Sequence, residues 1–402
     1  KCILVVDDWP MKLFLRIGAG LVILLFLGLL LLYAAGEGLF GTSETAGEIV
    51  EQQRPSAEVR EITEAQQSAA KAVGVANPKQ VLFGDFHVHT TFSFDAFMMS
   101  LPAASGEGAH PPADACDFAR FCSALDFWSV NDHAEYVTEN HWDQTVESIR
   151  QCNAVADPKN PDTVAFLGWE WTNVGTTPEN HYGHKNVVLA HTEEDKIPPR
   201  PVAAANVFRL FAQQQFNPFG LGFVAFAGRD QRYHDMARYF ADRANLKECA
   251  PDDGPEDYPD DCIVTAEDPG ELFSQLDAWD VDAIVIPHGT AWGLYTPAGS
   301  NWDKQLTPEM HDPKYQTLFE VYSGHGNSEQ YRPWRAVDFD AKGKATCPPV
   351  RDNYLPTCQR AGQIVEARCL AEGEAAAECA KRAAVARSNA AEAGLQAHLT
   401  GP

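Results

Sequence analysis

Residues 17–35 (IGAGLVILLFLGLLLLYAA) form one unbroken apolar run of 19 positions. At about 1.5 Å rise per residue such a run is long enough to cross a hydrocarbon core. No amphipathic period interrupts it, which argues against a buried core helix. Lys12 and Arg16 precede the run, and Glu37, Glu44, Glu48 and Glu51 follow it. This asymmetry predicts a membrane anchor over residues 12–35 with the body of the chain outside the cytoplasm. A signal segment cut after Ala34 is the alternative, and the run exceeds the roughly 7 to 15 residues of a signal core. Met11 is a natural start, so residues 1–11 read as leader or extra sequence.

Beyond the run the pattern changes twice. Residues 36–78 are polar and rich in Ala, Glu and Gln, which predicts a linker with some helical propensity that holds the following domain off the bilayer. From residue 79 to about 340, short apolar runs such as VLFGDFHVH, LDFWSVND, TVAFLGWEWTN, HKNVVLA, DAIVIPHG and TLFEVYSG are separated by helical stretches. That order predicts a mainly parallel α/β fold, for which a closed barrel is one solution. Residues 341–402 read as a Cys-containing loop and one Ala-rich helix over about 362–399 that stops without a further strand, as in a fragment of a longer chain.

Charge and cysteine content narrow the function classes. There are 31 Lys+Arg against 56 Asp+Glu, a formal charge of −25, so a generic binder of nucleic acid is excluded. Ten cysteines occur without a C-x-x-C pair, which disfavours a zinc ribbon. Cys249 and Cys262 bracket an acidic, Pro-rich loop that a disulfide would restrain, and some pairing is expected among Cys347, Cys358, Cys369 and Cys379 if the domain lies in an oxidising compartment.

The strongest chemical signal is His87-x-His89, because alternate strand residues point to one side and two imidazoles so placed can grip one metal. Asp132 and His133 follow the run LDFWSVN, Glu170 sits in FLGWEW, His288 closes DAIVIP, and Glu320 lies in LFEVYS with His325 just beyond. Each falls at or near the carboxyl end of a candidate strand, the edge where α/β folds collect ligands. Mixed carboxylates and imidazoles suit Zn²⁺, Mn²⁺ or Fe²⁺. Asp95 either ligates directly or orients a ligand histidine. His184 and Lys185 are candidates to bind an anion or protonate a leaving group, and Arg229 to clamp a phosphate. Trp128, Trp169, Trp171, Trp292 and Trp302 adjoin these motifs; core packing is the expectation for Trp128 and Trp169.

The segments FHVHTTFSFDAF, SVNDHAEY, GWEWT, HKNVV, PHGTAWG and EVYSGHGNSE, spread over about residues 82–329, together resemble the PHP superfamily of polymerase and histidinol-phosphatase domains, and most closely its bacterial branch known as domain of unknown function 3604. The resemblance implies a distorted (β/α)7 barrel with two or three divalent ions at its mouth. It puts His87, His89, Asp95, His133, Glu170 and His288 at metal positions, with the segment from Glu320 to His325 near the last motif. PHP enzymes commonly finish the site with Asp-x-His; the nearest equivalent here is Glu320 with His325, four residues intervening.

The expectation is an inner-membrane protein with a periplasmic, metal-dependent hydrolase domain, acting on a small-molecule phosphate ester through a metal-bridging hydroxide. Secretion to the periplasm is the alternative location. Sulfate-ester or amide hydrolysis on the same core is the alternative activity, and a metal-stabilised envelope module without catalysis is the alternative from another class.

Overall fold

The computed structural model describes residues 9–104, 109–212, 216–228, 231–244, 246–250, 258–259, 262–293, 296–297, 299–323, 326–327, 337–351 and 355–392. The apolar run becomes helix α1 (Trp9–Gly36), of which Leu13–Gly36 is long and apolar enough to cross a membrane. From Leu13 to Leu31 its side chains are exposed, and its last residues Ala35 and Gly36 are buried against the rest of the protein.

The segment after α1 differs from the expected spacer. Residues 42–54 lie on the domain, tied by hydrogen bonds that a hydropathy pattern does not reveal. Thr42 donates from N and Oγ1 to Asp235 (both 2.9 Å), Ala46 N to Gln144 Oε1 (2.9 Å), and Arg54 N to Asp162 Oδ2 (2.7 Å). Helix α2 (Ser56–Ala72) has no buried residue and carries the helical propensity of this stretch.

The domain is a mixed α/β unit. In chain order it contains β1 (Gly84–Val88), α3 (Phe94–Met99), α4 (Pro112–Asp117), β2 (Phe127–Val130), α5 (Glu139–Val155), β3 (Val164–Phe166), β4 (Gly168–Asn173), β5 (Gly183–Leu189), β6 (Val202–Ala204) and α6 (Ala205–Ala212). It continues with α7 (Pro218–Gly228), α8 (Gln231–Arg243), β7 (Lys247–Glu248), β8 (Cys262–Ala266), α9 (Pro269–Ala278) and β9 (Ala283–His288). Local chemistry sets the helix starts. Thr138 caps α5 by accepting from His141 N, and Asp268 caps α9 by accepting from Glu271 N with Pro269 in the first turn. Helix α5 buries Trp142, Val146 and Ile149 at the three- and four-residue spacing of one face.

Among the described residues the strands form small open sheets. β1-β2-β3 and β6-β8-β7 are parallel, as the alternation of strands and helices predicts. The third sheet, β4-β5-β9, is antiparallel, which corrects the mainly parallel expectation. The cause is the short connection between β4 and β5, which carries no crossover helix and so must reverse direction. A parallel bridge between His133 and Glu170 joins the end of the first sheet to β4. The core between these elements contains Trp128, Trp169 and Trp171, all fully buried. The run TLFEVYSG is not a regular strand; Glu320 N donates to Pro287 O (3.0 Å) and so leans on the edge of β9.

The C-terminal part is a hairpin, α10 (Thr357–Ala371) and α11 (Ala376–Glu392), where the sequence pattern predicts one helix. Gly373 breaks the run with φ at +81°, a conformation that costs glycine nothing, and Cys369–Cys379 clasps the turn. Cys249–Cys262 and Cys347–Cys358 also pair, as expected, while Cys116–Cys152 joins α4 to α5, a bridge with no sequence signal. Cys122 is free and exposed.

Candidate functional site

Glu170 stands at the centre of the strongest cluster of ionisable groups. Along β4 the side chains alternate, so Trp169 and Trp171 enter the core while Glu170 and Thr172 take the opposite face. Glu170 is fully buried and five imidazoles surround it. His87 Nε2 lies 3.2 Å and His89 Nε2 3.1 Å from its Oε2. His184 Nδ1 (2.6 Å), His133 Nδ1 (3.3 Å) and His288 Nε2 (3.6 Å) approach its Oε1. These residues come from β1 and its exit, the exit of β2, β5 and the end of β9, so four separate strands converge on one carboxylate.

The donors divide into two triads. His87, Glu170 and His288 offer ligand atoms that all lie within 4.8 Å of one another, and so do His89, His133 and Glu170. Donors bound to one ion at about 2.1 Å sit up to about 4.2 Å apart, so small side-chain adjustments suffice to close either triad around a cation. Glu170 belongs to both, and His87 Nε2 and His89 Nε2, which meet at its Oε2, stand 3.2 Å apart.

Burial and charge oppose each other here. Burial disfavours a charged imidazole, but the Glu170 and Glu320 carboxylates outweigh it at His87 and raise its pKa to about 10. Burial is likewise outweighed at His133, by Glu170 and Asp95, and its pKa also rises to about 10. Burial wins at His184, which falls to about 4, and it lowers His288 as well. Glu170 is itself costly to bury, yet His133, His288 and His184 hold its carboxyl well below the usual range.

One side of the cluster is open. Asp95 is 32% and Glu320 23% exposed, and they flank His87 and His89 at the rim. Glu320 Oε2 lies 2.8 Å from His87 Nδ1, and Asp95 Oδ2 lies 3.4 Å from His133 Nε2. Residues with hydroxyl groups orient the ring. Ser93 Oγ donates to Asp95 Oδ1 (2.9 Å) and meets His89 Nδ1 (3.1 Å), while Thr172 Oγ1 donates to Glu170 Oε1 (2.9 Å) and contacts His133 Nδ1. Sequence reasoning missed both; their signal is the spacing, Thr172 two residues after Glu170 on the same strand face and Ser93 four after His89. Glu135 was missed too. Its carboxylate accepts from Thr172 N (3.1 Å) and Ala204 N (2.7 Å), pinning β4 to β6, and burial raises its pKa to about 7.

Three expected site residues stand elsewhere or change role. Asp132 turns away: its two oxygens accept from Thr90 N (2.6 Å) and Thr90 Oγ1 (2.7 Å), so it fixes the loop after β1 while its neighbour His133 enters the cluster. Lys185 points to the opposite face of β5 from His184, as strand alternation requires, and Nζ donates to Tyr182 O (2.8 Å) and Gln305 Oε1 (3.0 Å) over the Trp171 ring. It is therefore no anion ligand of this cluster; burial lowers its pKa to about 7. His184 is 1% exposed and bonded to Glu170, which suits a positioning residue better than a proton donor to substrate. Arg229, His325 and the side chain of Trp292 lie outside the described residues.

Residues 76–140 match the sequence model of a family described as a protein of unknown function, DUF3604. That segment carries His87, His89, Asp95 and His133 but ends before Glu170, His184, His288 and Glu320. A search of curated proteins returns no match, and neither does a search of solved structures. The first half of the cluster is therefore similar to this family of unknown function.

Proposed function

We propose that the domain is a metal-dependent hydrolase of phosphate esters, built as a distorted (β/α)7 barrel of the PHP type. The observation that carries this reading is the single buried carboxylate, Glu170, shared by two donor triads of different histidines. A purely structural site needs only one closed set of four ligands, whereas two open triads with a solvent-facing rim suit catalysis. The parallel bridge from His133 to Glu170, which links two of the small sheets, supports the barrel reading.

His87 and His288 would hold one divalent ion and His89 and His133 the other, with Glu170 between them. Zn²⁺, Mn²⁺ or Fe²⁺ bound there supplies Lewis-acid charge to ester oxygens and lowers the pKa of water. The chain's own contribution is positional. His184 and Thr172 fix the carboxylate of Glu170, Ser93 fixes His89 and Asp95, and the rim carboxylates Asp95 and Glu320 are within reach of a water that enters the mouth. The fully buried floor excludes solvent from the opposite side.

The α1 helix reads as an uncleaved anchor of a bacterial inner membrane, with the domain in the periplasm. Four disulfides support an oxidising compartment, and the buried Ala35 and Gly36 support retention of the helix, since cleavage after Ala34 would free a packed end.

The direct test is elemental mass spectrometry on the chain purified without chelators, with hydrolysis of chromogenic phosphodiester, sulfate-ester and amide substrates on the same sample. About two ions per chain and turnover of the phosphodiester are expected. Preference for the sulfate ester or amide would reassign the reaction, bound metal without turnover of any ester would leave the metal-stabilised envelope module, and absence of both metal and turnover would overturn the metal centre itself.

Metal binding should also depend on pH in a defined sense. His87 and His133, with pKa values raised to about 10, carry protons at pH 7 that a cation must expel. Binding of two ions should release about two protons, so the product of the two affinities rises about a hundredfold per pH unit through neutrality. Calorimetry in buffers of different ionisation enthalpy measures this directly; no proton release would contradict the assignment of these two imidazoles as ligands.

A further inference from the structure

Helix α7 carries no polar or charged side chain between Pro218 and Gly228. Its inner face is made of small residues, Gly222 and Ala225, both buried. Its outer face leaves Phe219 45%, Phe223 65%, Val224 40% and Phe226 45% exposed. A soluble surface rarely gathers aromatic side chains in this way, and such a patch marks an interaction surface.

The neighbours of α7 identify the occupant. It packs on the carboxyl end of α1 so closely that a Cβ on Gly222 would meet the Leu32 carbonyl oxygen, and one on Gly36 the Pro218 carbonyl oxygen. Small residues at such crossings let backbones of membrane helices touch. Phe219 lies against Tyr33 (ring centroids 5.6 Å), and Phe226 against Phe40 (6.1 Å). Leu39 and Phe40, just past the end of α1, are also exposed. The patch is thus continuous with the lipid-facing side of α1, at the end where a spanning helix leaves the hydrocarbon and aromatic residues concentrate. With 11 residues α7 reaches only about 16 Å, too short to cross a core of about 30 Å, but suited to lying along its boundary.

We propose that α7 is a second, interfacial membrane contact whose phenylalanines enter the outer edge of the bilayer beside α1. This rests on the reading of α1 as a retained anchor. The contact is coupled to the candidate site through a continuous packed layer. Leu221 of α7 touches the cluster of Phe97, Met236 and Tyr239, and Phe240 of α8 packs on Phe94 (6.2 Å), the neighbour of Asp95. The domain is therefore laid on the membrane surface with its rim held at a set height, not suspended on a flexible stalk.

The test uses the full chain in vesicles of phosphatidylethanolamine and phosphatidylglycerol, with the photoreactive residue p-benzoylphenylalanine replacing Phe26, Phe223 or Val385 in turn. All three positions are exposed, so the fold tolerates the change. Lipid adducts are expected from Phe26 and Phe223 within about twofold of each other, and at least about tenfold fewer from Val385 on α11. Adducts from Phe26 with Phe223 at the level of Val385, or joined to another polypeptide, overturn the interfacial contact alone. Absence of adducts from Phe26 overturns the anchor, and the interfacial contact falls with it.

Discussion

Glu170→Gln should reduce bound divalent metal from about two ions per chain to fewer than one and slow phosphodiester hydrolysis at least about 10³-fold, equivalent to roughly 4 kcal/mol of barrier. The change keeps the shape of the side chain and removes its charge, so the fold of β4 is preserved. Both triads lose their common anion at once, because the same carboxylate lies within 3.2 Å of His87 and of His89 and 2.6 Å from His184. Elemental analysis and kinetics on one preparation check this, with circular dichroism as the control for folding. By comparison Asp132→Asn should leave metal content unchanged, since that carboxylate serves Thr90. A Glu170→Gln protein that retained both metal and turnover would refute the shared-ligand centre.

The second large effect concerns stability. Asp162→Ala should destabilise the domain by about 3–5 kcal/mol, the usual cost of leaving a buried charge without its partner. Arg120 is fully buried; its Nε donates to Asp162 Oδ2 (3.0 Å) and its Nη2 to the Cys152 carbonyl (2.7 Å). Asp162 also accepts from Arg54 N (2.7 Å), and its carbonyl accepts from the Arg54 guanidinium. Deleting the carboxylate therefore strands Arg120 and unfastens the far end of the strap over residues 42–54. Thermal denaturation should show a fall in Tm on the order of 10 °C, and limited proteolysis should begin within the strap. Combining Arg120→Met with Asp162→Leu removes both charges together and should recover much of the loss. A loss under about 1 kcal/mol for Asp162→Ala would mean that the strap is not fastened here.

Much of the candidate site was legible because its signals are local. The H-x-H spacing puts two imidazoles on one side of β1, and Glu170, His133 and His288 each stand where an apolar run ends or turns outward. The rotation of neighbouring side chains was not legible. Asp132 and His133 are adjacent, and only the docking of the β1 exit decides that Thr90 takes the first while the second faces Glu170. His184 and Lys185 pose the same ambiguity, which β5 resolves by pairing with β4 and β9 on both sides and burying Lys185 on the far face.

The apolar period along the chain by itself determined the 24-residue membrane-length helix and the strands β1, β2, β4, β5 and β9, and the two cysteines that bracket a short acidic loop pointed to the Cys249–Cys262 clasp. These depend on contacts within a few residues, where hydrophobic spacing and loop length carry the information. Only the tertiary structure decided that β4-β5-β9 runs antiparallel, that Cys116 meets Cys152, that residues 42–54 bind the domain, and that one glutamate gathers five histidines. Apart from the β4–β5 reversal, which a short connection imposes, each of those is a hydrogen bond, disulfide or charge contact between segments far apart in the chain, and its partner is chosen by how the packed elements meet, not by any repeat along the sequence.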